Sequence, residues 1–403
     1  MTDGSNPSSN RICILGGGFG GLYTALKLAQ FPWESSAQPE ITLVDRSDRF
    51  VFSPLLYELV TDELQTWEIA PPFVELLANT PIQFHQADVE DINPDAQQVS
   101  LIGGDAPLNY DRLVLALGGE TPLDGVPGAA DHAIPFRTIS DAYRVRQRLQ
   151  NLENSDSDKI RVAIVGGGYS GVEIACKLAD RLGNRGRIRI VERNESILRH
   201  SPEFNRNAGK RALSDRGVWT DLETDVVSIS DDSISLRYRG QIDEIPVDLI
   251  LWTVGTRVAP VVERLPFERG DRGKIKVNSH LQVYNSPNIF ALGDLADAHD
   301  ADGQTIPATA QAAFQQADYT AWNLWASLTH RPLLPLRYQN LGEMMTLGID
   351  NATLSGLGVT LDGPLAHIAR RLMYLYRLPT LEHQVKVGVN WIVDPLRALI
   401  TPQ

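Results

Sequence analysis

The sequence predicts an α/β fold with two Rossmann-like dinucleotide-binding domains, because one glycine-rich pattern occurs twice. Arg11–Ala29 and Arg161–Ala179 each place a short apolar run before Gly-x-Gly-x-x-Gly and a helical pattern after it, and ten of their nineteen positions are identical. Glycine permits the tight turn, and the N-terminus of the following helix offers free N–H groups to a pyrophosphate. Two such motifs in strand–turn–helix context are hard to explain by chance.

The first copy predicts one nucleotide site. Its glycines are Gly16, Gly18 and Gly21, and the next strand, Ile41–Arg46, includes Asp45, which follows Gly21 by 24 residues. An acid at that distance is placed to accept the ribose hydroxyls of a dinucleotide. The simpler alternative is an ordinary aspartate at a strand end.

The second copy predicts another site, with Gly166, Gly168 and Gly171 in the same places. Glu192 follows Gly171 by 21 residues and suits the free 2′-hydroxyl of NADH. Arg193, directly beside it, would instead suit the 2′-phosphate of NADPH. The sequence leaves both nicotinamide cofactors open.

The repeat extends beyond the glycine turns, since Asp111–Gly118 and Asp248–Gly255 are both buried-strand patterns that end in glycine. We therefore expect a discontinuous first domain and a second domain inserted within it, followed by a C-terminal region. The predicted bounds are 10–150 with 285–335 for the first domain, 155–284 for the second and 336–403 for the C-terminal region.

Composition limits the classes of function. A chain of 403 residues with 43% hydrophobic content can build two or three cored domains, and its formal charge of −13 argues against a nucleic-acid partner. The polar N-terminal segment, residues 1–10, predicts a disordered leading segment rather than a signal peptide. No apolar run is long enough to suggest a membrane span.

Cysteine and histidine usage disfavours metal and thiol chemistry. Cys13 and Cys176 are the two cysteines, and both fall in apolar segments, so we expect buried thiols. A redox-active C-x-x-C pair is missing, and the eight histidines are scattered without metal-ligand spacing. We expect no metal site.

The chain resembles a known family. The double glycine fingerprint, the strand ends LALG and WTVG and the element ALGD are similar to the two-dinucleotide-binding-domain flavoproteins, whose first module holds FAD and whose second holds NAD(P)H. The resemblance implies that Asp294 contacts the ribityl–phosphate region of FAD. More specifically, Ala308–Ala317 resembles the A-Q-x-A-x-Q-Q signature of type II NADH dehydrogenases, which are single-subunit NAD(P)H:quinone oxidoreductases that pump no protons.

Within that family, GGGYSGVE and VKVGVNWIVDPL resemble most the demethylphylloquinone reductases of cyanobacteria and plastids. The resemblance implies hydride transfer from NAD(P)H to FAD and reduction of a membrane quinone, demethylphylloquinone in phylloquinone biosynthesis. The alternatives are a respiratory enzyme that reduces plastoquinone or ubiquinone, a membrane-docked NAD(P)H-sensing protein with vestigial turnover, and a soluble ferredoxin-type reductase.

Two glutamines are candidate quinone contacts. Gln311 and Gln315 are four residues apart and therefore share one helix face. An amide both donates and accepts hydrogen bonds, which suits a quinone carbonyl, although the pattern also fits an ordinary polar helix face. The resemblance implies that both line a quinone tunnel beside the flavin.

Two further residues are candidates near the reacting rings. Glu173 falls in the first turn of the second glycine-motif helix, and the resemblance implies a place at the flavin–nicotinamide junction with a conformational or proton-relay role. Pro54 belongs to Phe50–Val60, whose aromatic and proline content suits a surface against a flat ring. The same segment could be the start of a core helix.

The C-terminal region suggests attachment to a membrane surface. Pro364–Leu378 carries three arginines and no acid, with Leu365, Ile368, Leu372 and Leu375 at helical spacing. Val385–Val393 follows with apolar alternation and Trp391, which suggests a second interfacial element. We expect a peripheral protein on the cytoplasmic face of a thylakoid or plasma membrane; the alternative is a helix packed on its own domain or on a homodimer partner.

Overall fold

The computed structural model describes residues 10–34, 38–104 and 106–400, with side chains up to residue 393. Apart from residue 10, the predicted polar lead lies outside the described residues. The strands are numbered in chain order: β1 Arg11–Leu15, β2 Glu40–Asp45, β3 Ile82–Gln86, β4 Val89–Asn93, β5 Gln98–Leu101, β6 Leu108–Asn109, β7 Arg112–Leu115, β8 Gly119–Glu120, β9 Ala133–Pro135, β10 Ile160–Val165, β11 Gly186–Val191, β12 Trp219–Asp221, β13 Thr224–Ile229, β14 Ser233–Tyr238, β15 Gln241–Pro246, β16 Leu249–Trp252, β17 Arg257–Val258, β18 Ile275–Lys276, β19 Gln282–Val283, β20 Ser286–Ala291, β21 Ala296–Asp297, β22 Glu343–Thr346, β23 Ala352–Gly356 and β24 Val359–Asp362.

The α-helices are numbered in the same way: α1 Phe19–Gln30, α2 Tyr57–Val60, α3 Thr66–Ile69, α4 Phe73–Leu76, α5 Ala129–His132, α6 Ile139–Glu153, α7 Tyr169–Leu182, α8 Glu203–Asp215, α9 Pro260–Glu263, α10 Ala310–Leu328, α11 Gly363–Arg377 and α12 Leu381–Ile400. Short 3₁₀ turns cover Ser53–Leu55, Gly183–Arg185, Asp271–Gly273 and Gly293–Leu295. The alternation of strands and helices is the pattern of an α/β protein, as the sequence predicts.

The first compact unit comprises the described residues of Met1–Phe50, Ala70–Glu120 and Thr256–Gln339. Its main sheet has the order β19-β20-β7-β1-β2-β3, in which β20, β7, β1, β2 and β3 run parallel. The central strand β1 is buried from Ile12 to Leu15, as is usual for a parallel sheet, whose two faces are commonly covered by helices. The glycine turn of the first motif follows β1 at the carboxyl edge of this sheet, where α/β folds bind ligands.

The second unit comprises the described residues of Val51–Ile69, Thr121–Gly255 and Asn340–Gln403. Its five-stranded sheet, β12-β11-β10-β16-β9, is parallel throughout. Two antiparallel three-stranded sheets, β13-β14-β15 and β22-β23-β24, belong to the same unit. The second glycine turn follows the central strand β10, so both motifs occupy equivalent positions in their sheets. The predicted domain bounds stay a prediction.

Local side-chain chemistry fixes the start of α6. The hydroxyl of Thr138 accepts from the backbone N–H of Asp141, and the Asp141 carboxylate accepts from the backbone of Thr138, which makes a complete capping box. The aspartate three residues after Thr138 completes this motif, and the helix begins at Ile139.

Cys13 and Cys176 are buried thiols, as the sequence predicts. Burial raises the pKa of both to about 12, so neither thiol forms a thiolate readily. Cys13 belongs to the first unit and Cys176 to the second.

The C-terminal region forms a three-stranded sheet followed by two amphipathic helices. Large apolar side chains on α11 and α12 are exposed: Leu365, Ile368, Leu372, Met373, Tyr376, Leu381, Val385, Val389 and Ile392. We call this set the apolar face. The alternation over Val385–Val393 lies inside α12, so the second interfacial element suggested by the sequence is helical. Across residues 10–34, 38–104 and 106–400, none of the helices combines the length and apolar character needed to cross a bilayer.

One of the three arginines of α11 points into the protein, so it cannot contact a membrane surface. Arg370 is completely buried, on the side of the helix that carries the buried Ala366 and His367. Its partners are the carboxylate of Glu58 and the carbonyl oxygen of Pro54. Arg370 is therefore not one of the basic residues that the helix offers to its surroundings.

Candidate functional sites

The first glycine turn is packed too closely for any side chain at two of its three glycines. A Cβ on Gly21 would lie 1.8 Å from the carbonyl oxygen of Gly16, and one on Gly16, whose φ is +100°, would lie 2.3 Å from that of Ala116. A Cβ on Gly18 meets no heavy atom of the described residues within 4 Å. The turn therefore brings β1 and α1 together and leaves open space at the helix N-terminus.

The acid at the end of β2 holds this turn. Asp45 accepts from the backbone N–H of Gly17 at 2.6 Å through one carboxylate oxygen and from that of Ser47 at 2.7 Å through the other. Burial raises the pKa of Asp45, although both N–H groups oppose that effect. The structure thus places Asp45 beside the glycines, as a ribose-binding acid requires.

The second turn repeats this geometry. Gly166 has φ +112°, a Cβ on Gly171 would lie 1.8 Å from the carbonyl oxygen of Gly166, and Gly168 faces open space within the described structure. Glu192 accepts from the backbone N–H of Gly167 at 2.7 Å, which matches the bond between Asp45 and Gly17. Its other oxygen accepts from the backbone and side-chain amides of Asn194.

The two turns fit the dinucleotides that the sequence implies. Each ends at a helix N-terminus that no side chain among the described residues caps, and helix N-termini favour anionic ligands. Arg193 is exposed beside Glu192. A charged group on the ribose at this turn would meet the acid and the arginine together.

A third feature of the first unit is the amide pair on α10. Gln315 is held at both ends by the backbone of Gln339, donating to its carbonyl at 2.8 Å and accepting from its N–H at 2.9 Å. Gln311 accepts from the hydroxyl of Tyr338 at 3.1 Å. Both glutamines are half-buried on one helix face, as the spacing predicts.

The neighbouring glutamine of α10 and the Gly-Asp element are joined. Gln316 is buried and accepts from the backbone N–H of Gly293 at 2.7 Å. Gly293 has φ +76° and begins the 3₁₀ turn that contains Asp294. The structure therefore ties the Asp294 turn to the helix that carries Gln311 and Gln315.

Aromatic rings connect the amide pair to the first glycine turn. Phe314 of α10 packs against Phe19 at 4.9 Å and Tyr23 at 4.3 Å between ring centroids, and both belong to α1. Phe50 packs edge-on against Phe19. Within the first unit, this cluster holds the helix of the quinone candidates beside the helix of the predicted FAD turn.

Glu173 is buried in α7 of the second unit, one residue beyond the first helical turn in which the sequence analysis placed it, because the helix begins at Tyr169. Its carboxylate accepts from the backbone N–H of Thr346 at 2.9 Å. Burial raises its pKa to about 7, and Glu58 adds to the rise, whereas Arg370, the Thr346 N–H and Tyr57 oppose it. A carboxyl group with a pKa near neutrality can both give and take a proton.

Pro54 and Glu58 contact the same buried arginine. Arg370 donates to Glu58 at 2.6 Å and to the carbonyl oxygen of Pro54 at 2.6 Å. Burial alone would raise the pKa of Glu58, but the charges of Arg370 and Lys177 outweigh it and the pKa lies below its ordinary value. Neither Glu58, Lys177 nor Arg370 was singled out from the sequence as a site residue. The one local signal for any of these three residues is that Lys177 interrupts the apolar helix pattern IACKLA.

The predicted residues thus fall into two groups. The first unit contains Gly16, Gly18, Gly21, Asp45, Asp294, Gln311 and Gln315. The second unit contains Pro54, Gly166, Gly168, Gly171, Glu173, Glu192 and Arg193. Clusters of three or more metal-ligating side chains are absent from the part of the chain that the structure describes.

Comparisons with known proteins agree with this geometry. Residues 10–317 match the family model for pyridine nucleotide-disulphide oxidoreductases. The chain is 59% identical to the demethylphylloquinone reductase NdbB of Synechocystis over 96% of both chains. It is 44% identical to the alternative NAD(P)H-ubiquinone oxidoreductase C1 of Arabidopsis thaliana, over 94% of this chain and 80% of the relative.

Among solved structures, NDH2 from Plasmodium falciparum in complex with NADH has the same fold. The TM-score is 0.83 at 17% identity, and the match covers 95% of this chain and 98% of the other. The α/β architecture with two dinucleotide-binding domains is therefore confirmed, and so is the family predicted from the glycine repeat and the glutamine motif.

The burial of Glu173 makes stability depend on pH. Its pKa is about 7 in the folded protein and 4.5 for an ordinary glutamate, so the folded state holds a proton that the unfolded state releases between these values. The wild-type protein should lose up to about 3 kcal/mol of unfolding free energy as pH rises through this window.

The variant Glu173→Gln keeps an acceptor for the Thr346 N–H and removes the titration. We expect it to become more stable relative to wild type as the pH rises from about 5 to about 8. Urea unfolding at a series of pH values measures this difference. A stability difference that stays constant over that range would contradict a buried, protonated Glu173.

Proposed function

Because this chain belongs to the pyridine nucleotide-disulphide oxidoreductase family and, within it, to the type II NAD(P)H dehydrogenases, we propose that it reduces demethylphylloquinone with NAD(P)H. The observation that carries the proposal is 59% identity, along nearly the whole chain, to a relative with that activity in its name. FAD supplies the hydride-accepting ring when bound. The chain supplies two nucleotide turns, a pair of amides and a buried acid.

The cofactor roles follow from the two turns. We assign FAD to Gly16, Gly18 and Gly21 with Asp45, because that turn is connected through the aromatic cluster to the α10 glutamines. The nicotinamide dinucleotide is assigned to the equivalent turn of the second unit, with Glu192 and Arg193 at its ribose. Asp294 and Pro54 are assigned to FAD on the resemblance that the sequence carries.

The burial of both thiols supports electron transfer to the acceptor without a protein thiol as intermediate. Disulphide-reducing members of the family need a reactive cysteine pair, whereas this sequence contains Cys13 and Cys176, which are buried in different units. Burial also raises the pKa of both thiols to about 12. Reduction of an organic acceptor such as a quinone needs no protein thiol.

Gln311 and Gln315 are the proposed quinone contacts. A primary amide can donate to a quinone oxygen, whose negative charge grows during reduction. The bonds to Tyr338 and Gln339 fix the orientation of the two amides before a ligand arrives. Preorganised donors of this kind stabilise developing charge with little reorganisation.

The apolar face of α11 and α12 is proposed to lie on a lipid surface. Five large apolar side chains of α11 and four of α12 are exposed, which is a costly arrangement in water. An amphipathic helix pair with aromatic and apolar side chains outward is the pattern of interfacial membrane binding. A membrane quinone would reach the protein from the same surface.

The choice of acceptor is tested with the purified, FAD-loaded protein. We expect kcat/KM for a short-chain demethylnaphthoquinone to exceed that for a plastoquinone analogue by roughly tenfold or more, since shape differences in a pocket give discrimination of this order. Steady-state oxidation of NADPH and of NADH measures kcat/KM for each of the two quinones. Preference for plastoquinone would make this a respiratory enzyme, and no turnover with any quinone would overturn the proposed function.

The amide role is tested with Gln311→Leu and Gln315→Leu. Each should slow the stopped-flow half-reaction with quinone by roughly 10- to 100-fold, and leave the half-reaction with NAD(P)H within about twofold of wild type. Asp318→Asn, on the exposed side of the same helix, is the matched control. Slowing confined to the NAD(P)H half-reaction would contradict the assignment.

The lipid surface is tested with the double variant Ile368→Gln and Leu372→Gln. Each side chain contributes about 1.5–3 kcal/mol when transferred from water to an apolar phase, so binding to phosphatidylcholine vesicles should fall by at least about tenfold. Ile242→Gln, an exposed isoleucine of β15, is the control and should leave vesicle binding unchanged.

Co-sedimentation with vesicles and analytical ultracentrifugation give the two readouts. Unchanged vesicle binding together with conversion of a dimer to a monomer would show that the apolar face is a homodimer interface instead. Turnover of a water-soluble quinone should stay near wild type, because the apolar face excludes the proposed catalytic residues.

A further inference from the structure

An extended segment of the first unit, residues 332–339, lies along the helix that carries the two candidate glutamines. Near the end of α10, Asn323 bonds to the backbone of Leu334, and about two turns earlier Gln315 bonds to the backbone of Gln339. Helix positions fall as positions in the segment rise, so the segment runs antiparallel to α10. We call residues 332–339 the strap.

Two amides of α10 are oriented by the backbone of the strap. Asn323 donates to the carbonyl oxygen of Leu334 at 3.0 Å and accepts from its N–H at 2.7 Å. Gln315 makes the same pair of bonds with Gln339, at 2.8 and 2.9 Å. A backbone N–H can only donate and a carbonyl can only accept. Turning either amide over would set donor against donor and acceptor against acceptor, so the backbone allows one orientation of each.

The strap is fixed on both sides of Tyr338. Leu336 is completely buried, its N–H donates to the carbonyl oxygen of Ser279 at 2.7 Å, and its carbonyl accepts from the N–H of Ala301 at 2.8 Å. On the other side, Gln339 is held by Gln315, as described above. The tyrosine therefore belongs to a short piece of chain whose two ends cannot move independently of the helix.

Gln311 is oriented by a side chain instead of the backbone. Its Oε1 accepts from the hydroxyl of Tyr338 at 3.1 Å, and both residues are half-buried. A phenol donates hydrogen bonds more readily than it accepts them, because its oxygen lone pair is conjugated with the ring. Tyr338 therefore favours the orientation in which the oxygen of the Gln311 amide faces the hydroxyl and the NH₂ group faces the other way.

The orientation of this amide matters because the oxidised and reduced forms of the acceptor differ in hydrogen bonding. A quinone oxygen only accepts hydrogen bonds, and it accepts them more strongly as negative charge develops on it. A quinol hydroxyl also donates. An amide NH₂ group therefore favours the quinone, whereas an amide oxygen would repel the quinone oxygen and accept from the quinol hydroxyl.

Resting on the proposed quinone reductase function, we propose that Tyr338 is a positioning residue that fixes Gln311 as a hydrogen-bond donor, so that the site binds quinone in preference to quinol. Gln311 meets the arriving acceptor with its NH₂ group. The quinol oxygen is a weaker acceptor than the quinone carbonyl, so the product leaves more readily. Gln315 keeps its orientation without Tyr338, because the backbone of Gln339 holds it.

The test is Tyr338→Phe in the full-length, FAD-loaded protein, which keeps the ring and lets the Gln311 amide turn over. The half-reaction with the short-chain demethylnaphthoquinone should slow by roughly 3- to 10-fold, the usual effect of one neutral hydrogen bond. The inhibition constant of the corresponding quinol should fall by a similar factor. Reduction of FAD by NAD(P)H should stay within about twofold of wild type. Tyr284→Phe, at an exposed tyrosine of the same unit, is the matched control.

A double variant shows whether Tyr338 acts through Gln311. If it does, Tyr338→Phe combined with Gln311→Leu should reduce quinone as slowly as Gln311→Leu alone, and the two should have the same inhibition constant for quinol. The double-mutant cycle over the quinone half-reaction measures this coupling directly. A merely structural role of Tyr338 would instead add its own slowing to that of Gln311→Leu.

Additive slowing in the double variant would overturn the proposal, and so would slower quinone reduction in Tyr338→Phe without tighter quinol binding. Quinone and quinol kinetics that stay unchanged in Tyr338→Phe would also overturn it. Failure of the wild-type protein to reduce any quinone is a different result, because it would remove the proposed function on which the proposal rests.

Discussion

The close approach of strand and helix at the two glycine turns is the constraint on which both nucleotide sites depend. At Gly21 and Gly171 even a methyl group would lie 1.8 Å from a carbonyl oxygen. This contact directs the N-termini of α1 and α7 to the carboxyl edges of their sheets. It also brings Gly17 and Gly167 within hydrogen-bond reach of Asp45 and Glu192. One packing requirement, met twice, thus produces an anion site and its neighbouring acid.

A second constraint is electrostatic. Removing one partner from a buried ion pair costs about 3–5 kcal/mol because the other charge stays buried and unpaired. Glu58, Lys177 and Arg370 are all completely buried, so removing any one of them would leave a buried charge with fewer partners. Arg370 also binds the carbonyl of Pro54 and so fixes the loop that precedes α2. These ion pairs therefore join α2, α7 and α11, and the charges of Glu58 and Arg370 act on the Glu173 carboxyl group.

Local patterns made the fold predictable, and they also selected the candidate site residues. Glycine spacing, strand-ending acids and the glutamine pair are encoded within a few residues of one another. The ion pair between Glu58 and Arg370 was not predictable, since the two residues are 312 positions apart in the sequence. Lys27 and Lys177 occupy equivalent positions in the repeat, yet Lys27 is exposed and pairs with Asp318 whereas Lys177 is buried. Only tertiary packing distinguishes them.

The orientation of α11 connects these features to the acceptor. In a helix that faces water, the charged side is outward and the apolar side inward, but α11 directs Arg370 inward and Leu365, Ile368 and Leu372 outward. Such a helix is stable only if the arginine finds a buried anion and the apolar residues find a nonaqueous surface. Glu58 meets the first need, and a lipid surface would meet the second. A quinone that arrives through lipid would then meet the apolar side of α11 first.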